Sequence, residues 1–262
     1  MGELTYQTIN VRFQGSICRI QICQSDAENA ITNNLVTELT DVLAICEQTT
    51  GARSPAVCVV VIEGLPDVFC TGADFRQIAN QNDVAQMVDA DGLYNLWKHL
   101  AIGSFVTIAH VRGRVLAGGL GLVAACDLVL ADETATFALS ELMFGLFPAC
   151  VLPFLIRRVG IQKSHYMTLT TMPISVQEAS ASGLVDAYAE DSESLLRKHL
   201  IRLSRLSKSA VSEYKQYLHQ LNDILMRSQS LAVSTNEQLF SSQENLDKIQ
   251  RYVNEGKFPW EP

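Results

Sequence analysis

The run Val57 to Glu63 is continuously apolar up to its last residue and stops at Gly64-Leu65-Pro66. A strand with no polar alternation is buried on both faces, which is the condition of a parallel sheet covered by helices. Val106 to Val111, closed by Gly113, repeats the pattern, and Asp127 to Ala131 repeats it again. Helix-sized segments separate these runs, so the expected class is α/β with β-α-β crossovers.

Ahead of them, Tyr6 to Phe13 and Ile17 to Cys23 alternate and meet at Gln14-Gly15 as a hairpin. Asn33-Asn34 offers a cap for a helix from Leu35 to Cys46, with Leu35, Leu39, Val42, Leu43 and Cys46 on one face. The segment Gly72 to Gly92 is polar and without period, as expected of a helix start followed by a mobile loop, and Tyr94 to Ile102 returns to a helical pattern. From Ala149 the strands fade: Val151 to Val159, Gln162 to Thr170, Ser175 to Ser182, Ser192 to Ser207, Ala210 to Met226 and Asn236 to Asn254 read as helices. This divides the chain into a core over 1–190 and a helical region over 191–262.

Composition sets outer bounds. With 262 residues, 48% hydrophobic and 18% charged, the chain can bury a large core and is not disordered. A net charge of −8 excludes a general nucleic-acid binder. No apolar run reaches the ~18 to 20 residues that cross a bilayer, and Met1 to Thr5 lacks the features of a signal peptide, so a soluble cytoplasmic protein is expected. The seven cysteines are scattered in apolar strings as reduced thiols, and the five histidines show no ligand spacing, so no metal site is expected.

Chemistry concentrates in three places. Phe69-Cys70-Thr71-Gly72-Ala73-Asp74-Phe75 and Arg114-Val115-Leu116-Ala117-Gly118-Gly119-Leu120-Gly121 are glycine-containing turns that follow buried strands and open helices. Unpaired N–H groups at two such helix starts, brought to one point, make an oxyanion hole; taken singly, each turn reads equally as tight strand-to-helix packing. The third is Glu141 inside Phe137 to Pro148, where apolar neighbours raise a carboxyl pKa toward a value useful for proton transfer, unless the residue simply answers a helix N-terminus. Gly118-Gly119-Leu120-Gly121 does not meet the dinucleotide-binding spacing.

Gly72-Ala73-Asp74, the stretch from His110 to Asp127 around Ala117-Gly118-Gly119, Glu141, and Ala179 to Asp186 resemble, in order and spacing, the crotonase or enoyl-CoA hydratase/isomerase superfamily. Ser140-Glu141-Leu142 through Pro148 to Arg158, and the ending Gly256 to Glu261, are most similar to the branch that dehydrates 3-hydroxy-3-methylglutaryl groups on an acyl carrier protein in polyketide β-branching. The resemblance implies repeated ββα turns forming two near-perpendicular sheets and a homotrimer or dimer of trimers. It implies an oxyanion hole from the N–H groups of Ala73 and Gly118 and a catalytic Glu141, with no cofactor beyond the carrier's phosphopantetheine. Its other catalytic carboxylate falls on Gly121, a departure that asks Glu141 to do more.

Arg76, Lys98, Tyr94 and His99 are candidates for the substrate's distal carboxylate, each open to a surface or packing reading. Arg197, Lys198, Arg202 and Arg205, in a stretch with five bases and no acid from Leu195 to Lys208, are candidates for docking the acidic carrier, or form a solvated helix face. By the resemblance Phe240 falls where an aromatic covers the adenine in CoA-using relatives, and it reads equally as a core residue of its helix; Lys257 is a further carrier or pantetheine candidate. His110, Trp97 and Trp260 read as packing residues. Rival readings are a CoA-linked enoyl or methylglutaconyl hydratase, an inactive crotonase-like scaffold, and the decarboxylase of the same pathway. The last uses a Tyr/Lys pair where this chain has Gln81 to Gln86.

Overall fold

The computed structural model describes residues 5–51, 55–80 and 88–262. Strands β1 (Ile9–Gln14) and β2 (Ile17–Ile22) form the expected antiparallel hairpin. Helix α1 (Asn33–Gln48) buries the expected face, but its cap is Thr32, whose hydroxyl accepts from Leu35 N at 3.2 Å. Strand β3 (Val59–Glu63) is buried at every position. It is followed by β4 (Val68–Cys70), α2 (Phe75–Asn80), α3 (Ala90–Ile102), β5 (Val106–Val111), β6 (Arg114–Leu116), α4 (Gly118–Ala125), β7 (Leu128–Ala131) and β8 (Thr136–Ala138). A 3-10 turn at Glu141–Phe144 leads to α5 (Leu152–Thr170), β9 (Ile174–Ser175), α6 (Val176–Ala181) and β10 (Ala187–Tyr188). Helices α7 (Ser192–Leu203), α8 (Lys208–Leu221), α9 (Ile224–Phe240) and α10 (Gln243–Glu255) finish the chain.

Two sheets result. One has the order β1-β2-β3-β5-β7-β10 and is parallel from β2 onward; the other has the order β4-β6-β8-β9, with β4, β6 and β8 parallel. Each long run of the sequence is thus followed by a three-residue strand: β3 by β4, β5 by β6, β7 by β8. One strand goes to each sheet. The alternation of β3 sends Val60 and Ile62 into the main core and Val59 and Val61 to the opposite side, where Leu196 and Leu200 of α7 cover them. Leu225 and Ala232 of α9 reach the main core, so the helical third packs onto the sheets.

The two helices expected over Val151 to Thr170 are present, separated within α5 by the non-helical Gly160 (φ 79°). One boundary expectation is corrected: the helices expected at Ala210 to Met226 and Asn236 to Asn254 break elsewhere. Asn222 is extended and its carboxamide accepts from Ile224 N at 3.3 Å, which ends α8 and starts α9.

Candidate active site

Three adjacent parallel strands, β4, β6 and β8, run out at the same edge, and each delivers one residue of the site just past its C-terminal end. After β4, Gly72 takes φ +79°, where only a glycine is unstrained, and turns the chain so that Ala73 precedes α2. A side chain at Gly72 would come within 2.8 Å of Gly118 N, so the two turns touch. After β6, Ala117 adopts φ 48°, ψ −123°, a conformation costly for any residue with a Cβ, by about 1 to 3 kcal/mol. That bend opens α4 at Gly118, whose N–H has no acceptor inside the helix. After β8, Ser140 leads into the 3-10 turn that Gly145 closes at φ 79°, with Leu146 N donating to Glu141 O at 3.1 Å.

Ala73, Gly118 and Glu141 line one cleft of about 1340 Å³, together with Ile31, Trp97, Phe147 and, from the C-terminal region, Phe240, Tyr252 and Phe258. The Glu141 turn is clamped by rings: Phe144 meets Phe75 at 5.1 Å, Tyr252 at 5.1 Å and Phe258 at 6.1 Å. Glu141 is 8% exposed, and its Oε2 is buried without a hydrogen-bond partner. Burial pushes its carboxyl up to about 7, against the downward pull of the Glu141 and Ser140 backbone N–H groups. A group of that pKa holds and releases a proton near neutrality.

Arg76 lies at the cleft and is the only basic side chain among its described lining residues. Phe240 also lines it. The other expected substrate contacts lie elsewhere. Tyr94 is fully buried with its hydroxyl donating to Leu225 O at 2.7 Å; Lys98 donates to Gln229 Oε1 at 2.7 Å; His99 Nε2 lies 3.4 Å from Glu47 Oε2. None of the three borders the cleft, because their faces of α3 pack on α9, α8 and α1. Lys257 is exposed and donates to Pro262 O. Arg197, Lys198, Arg202 and Arg205 are exposed around α7, across the large sheet from the cleft, so within one subunit they do not flank its mouth. Gln81 to Gln86 lie outside the described residues.

Trp97, expected as a packing residue, does pack in the core and also borders the cleft. It is 1% exposed, lines the cleft, and presses the benzene edge of its indole on Gly121, where any side chain would run into Cη2, Cζ2 and Cζ3. The space beside Gly121, where the resemblance placed a carboxylate, holds a ring. A cluster of potential metal ligands exists at Glu63, His110 and Glu193, but the Arg19 guanidinium donates to both carboxylates at 2.8 to 3.0 Å and supplies the positive charge there.

The paired sheets and the site at the ends of β4, β6 and β8 define a crotonase fold, and residues 12–262 match the enoyl-CoA hydratase/isomerase family. The chain belongs to that family. Among its relatives, the bacillaene synthase dehydratase PksH of Bacillus subtilis is 52% identical over 100% of this chain and 99% of its own. A crystal structure described as a putative polyketide biosynthesis enoyl-CoA hydratase (pksH) from Bacillus subtilis superposes with a TM-score of 0.91 at 51% identity, covering 97% of this chain and 100% of that one. A mevalonyl-coenzyme A hydratase of Aspergillus fumigatus is 30% identical over 79% of each chain.

Proposed function

We propose that the protein is a hydro-lyase of polyketide biosynthesis that removes water from a 3-hydroxy-3-methylglutaryl thioester carried on an acyl carrier protein. The observation that carries this reading is Glu141, whose Oε2 is buried without a hydrogen-bond partner, in one cleft with the adjoining turns of Ala73 and Gly118. Full-length similarity to a polyketide dehydratase supports the reaction class and the carrier.

In this mechanism the thioester oxygen accepts from Ala73 N–H and Gly118 N–H. The C2–H bond breaks, its proton passes to a solvent water, its electron pair forms the C1–C2 double bond of an enolate, and the negative charge rests on that oxygen. Losing one such donor raises the barrier by about 2.7 to 4 kcal/mol. The enolate then collapses: the pair moves to C2–C3, the C3–O bond breaks, and the departing oxygen takes the proton of Glu141 and leaves as water. Glu141 enters the cycle protonated, as its burial favours near pH 7. Arg76 receives the distal carboxylate, whose unpaired burial is prohibitive. No step calls for a cofactor.

The reading places the enzyme in the cytoplasm, supported by its free cysteines, and none of the described helices is long and apolar enough to cross a membrane. It assembles as a homotrimer or dimer of trimers, supported by exposed Ile161, Leu169 and Met172 at the end of α5 and Tyr214, Tyr217 and Leu221 on α8. Mass spectrometry of substrate loaded on carrier protein, and in parallel on CoA, tests the function. The carrier-bound thioester loses one water in the presence of enzyme, and faster than the CoA ester. Loss of carbon dioxide, or no change on either carrier, overturns the reading.

A further inference from the structure

Among the described residues, four buried side-chain polar atoms have no hydrogen-bond partner: Tyr6 Oη, Ser104 Oγ, Trp97 Nε1 and Glu141 Oε2. The last two belong to residues lining the same cleft. A buried N–H left unpaired costs about 1 to 3 kcal/mol, so an orphan of this kind beside a cavity calls for a ligand atom to complete it. The indole is also immobilised. Its benzene edge abuts Gly121, and Phe154 packs against it edge-on with ring centroids 5.7 Å apart. A glycine at 121 is what makes room for the ring. A donor fixed in this way loses no entropy when it meets its acceptor.

We propose that Trp97 Nε1–H is a hydrogen-bond donor to the substrate's C3 hydroxyl oxygen, opposite Glu141. The inference rests on the dehydratase reading and adds a specificity element to it. The substrate oxygen that leaves needs two things, a proton from Glu141 and a donor to steady the charge that gathers on it as the C3–O bond stretches. An indole N–H supplies the second and has no proton to lose near neutral pH. A second carboxylate in that place would be an acceptor when ionised and would repel the departing electron pair. Trp97 and Gly121 therefore act as one device: the ring fills the space, and its N–H reads the hydroxyl.

The chain has two tryptophans, Trp97 buried and Trp260 63% exposed, so two indole N–H resonances are separable in a ¹⁵N spectrum of the native enzyme. The probes are the 3-hydroxy-3-methylglutaryl and 3-methylglutaryl pantetheine thioesters, which differ only in the hydroxyl. The Trp97 resonance moves downfield with the first and not with the second. No movement with either, or equal movement with both, overturns the assignment. Trp97→Phe, which keeps a ring and removes the donor, lowers kcat on the hydroxylated substrate roughly ten- to a hundredfold. It also abolishes the preference of the site for the hydroxylated thioester over the deoxy one. Unchanged kcat and preference in this variant overturn the inference while leaving the dehydratase reading intact. A selective Trp97 shift without water loss sustains the donor and removes the reaction.

Discussion

Glu141 and Glu63 are both buried glutamates, 8% and 7% exposed, each placed beyond or at the end of a parallel strand, yet they are driven in opposite directions. Burial raises the pKa of both. At Glu63 it is overcome by His110 Nδ1 at 2.8 Å and the Arg19 guanidinium at 2.8 and 2.9 Å, which bring it down to about 2. At Glu141 nothing comparable answers it, and the pKa rises to about 7. Partners, and not burial, decide which carboxylate holds the large sheet to α7 and which is left free to trade protons.

The largest effect expected from breaking this contrast is on activity. Glu141→Gln keeps the volume and cannot exchange protons, so single-turnover dehydration falls by roughly 10² to 10⁴, while circular dichroism and assembly stay unchanged. Gly118→Pro removes an oxyanion donor and costs about 10² to 10³ in rate; because Ala117 at φ 48°, ψ −123° must shift to precede a proline, the rate is read on protein that keeps the wild-type circular dichroism.

Stability sharpens the same contrast. Glu141 has its folded pKa above the usual carboxylate value, so wild-type stability rises as pH falls from about 7 to about 4.5. Glu141→Gln is therefore the more stable protein at pH 8, by up to about 3 kcal/mol, and the gap closes by pH 4.5 in urea melts. Glu63 has the opposite sign: its stabilisation is complete above pH 4.5 and is lost as pH falls toward about 2. Glu63→Gln costs on the order of 2 kcal/mol at neutral pH and leaves kcat near wild type. The smallest effect is expected on the far side of the sheet. Reversing Arg202 and Arg205 to Glu leaves KM for carrier-bound substrate within about twofold, because α7 faces away from the cleft.

The parallel sheet was legible because β3, β5 and β7 are long enough to bury both faces. The strands that follow them, β4, β6 and β8, are three residues each, too short for any period, and none was read as a strand; the second sheet was known only through the resemblance. The two glycine-containing turns and the apolar-flanked Glu141 were visible in the residues, while Ala73 and Gly118 as the particular donors came from the resemblance; the structure brings all three to one cleft. Tyr94, Lys98 and His99 misled because residue type carries no information about which way a helix face turns. Lys98 and Arg76 are the same chemistry in sequence, but only Arg76 reaches the cleft. Trp97 read as a packing residue and is one, 1% exposed, but its place at the cleft was not legible because an indole in an apolar helix looks like core alone. The signal was Gly121 on another helix, and that pairing exists only in three dimensions.

The pH dependence of single-turnover dehydration tests most directly whether a buried, protonated Glu141 drives the reaction. The rate should be flat below pH 7 and fall tenfold per unit above about 7, as Glu141 loses the proton it must donate. A rate that rises through that range, or one without any break near neutrality, would contradict the account.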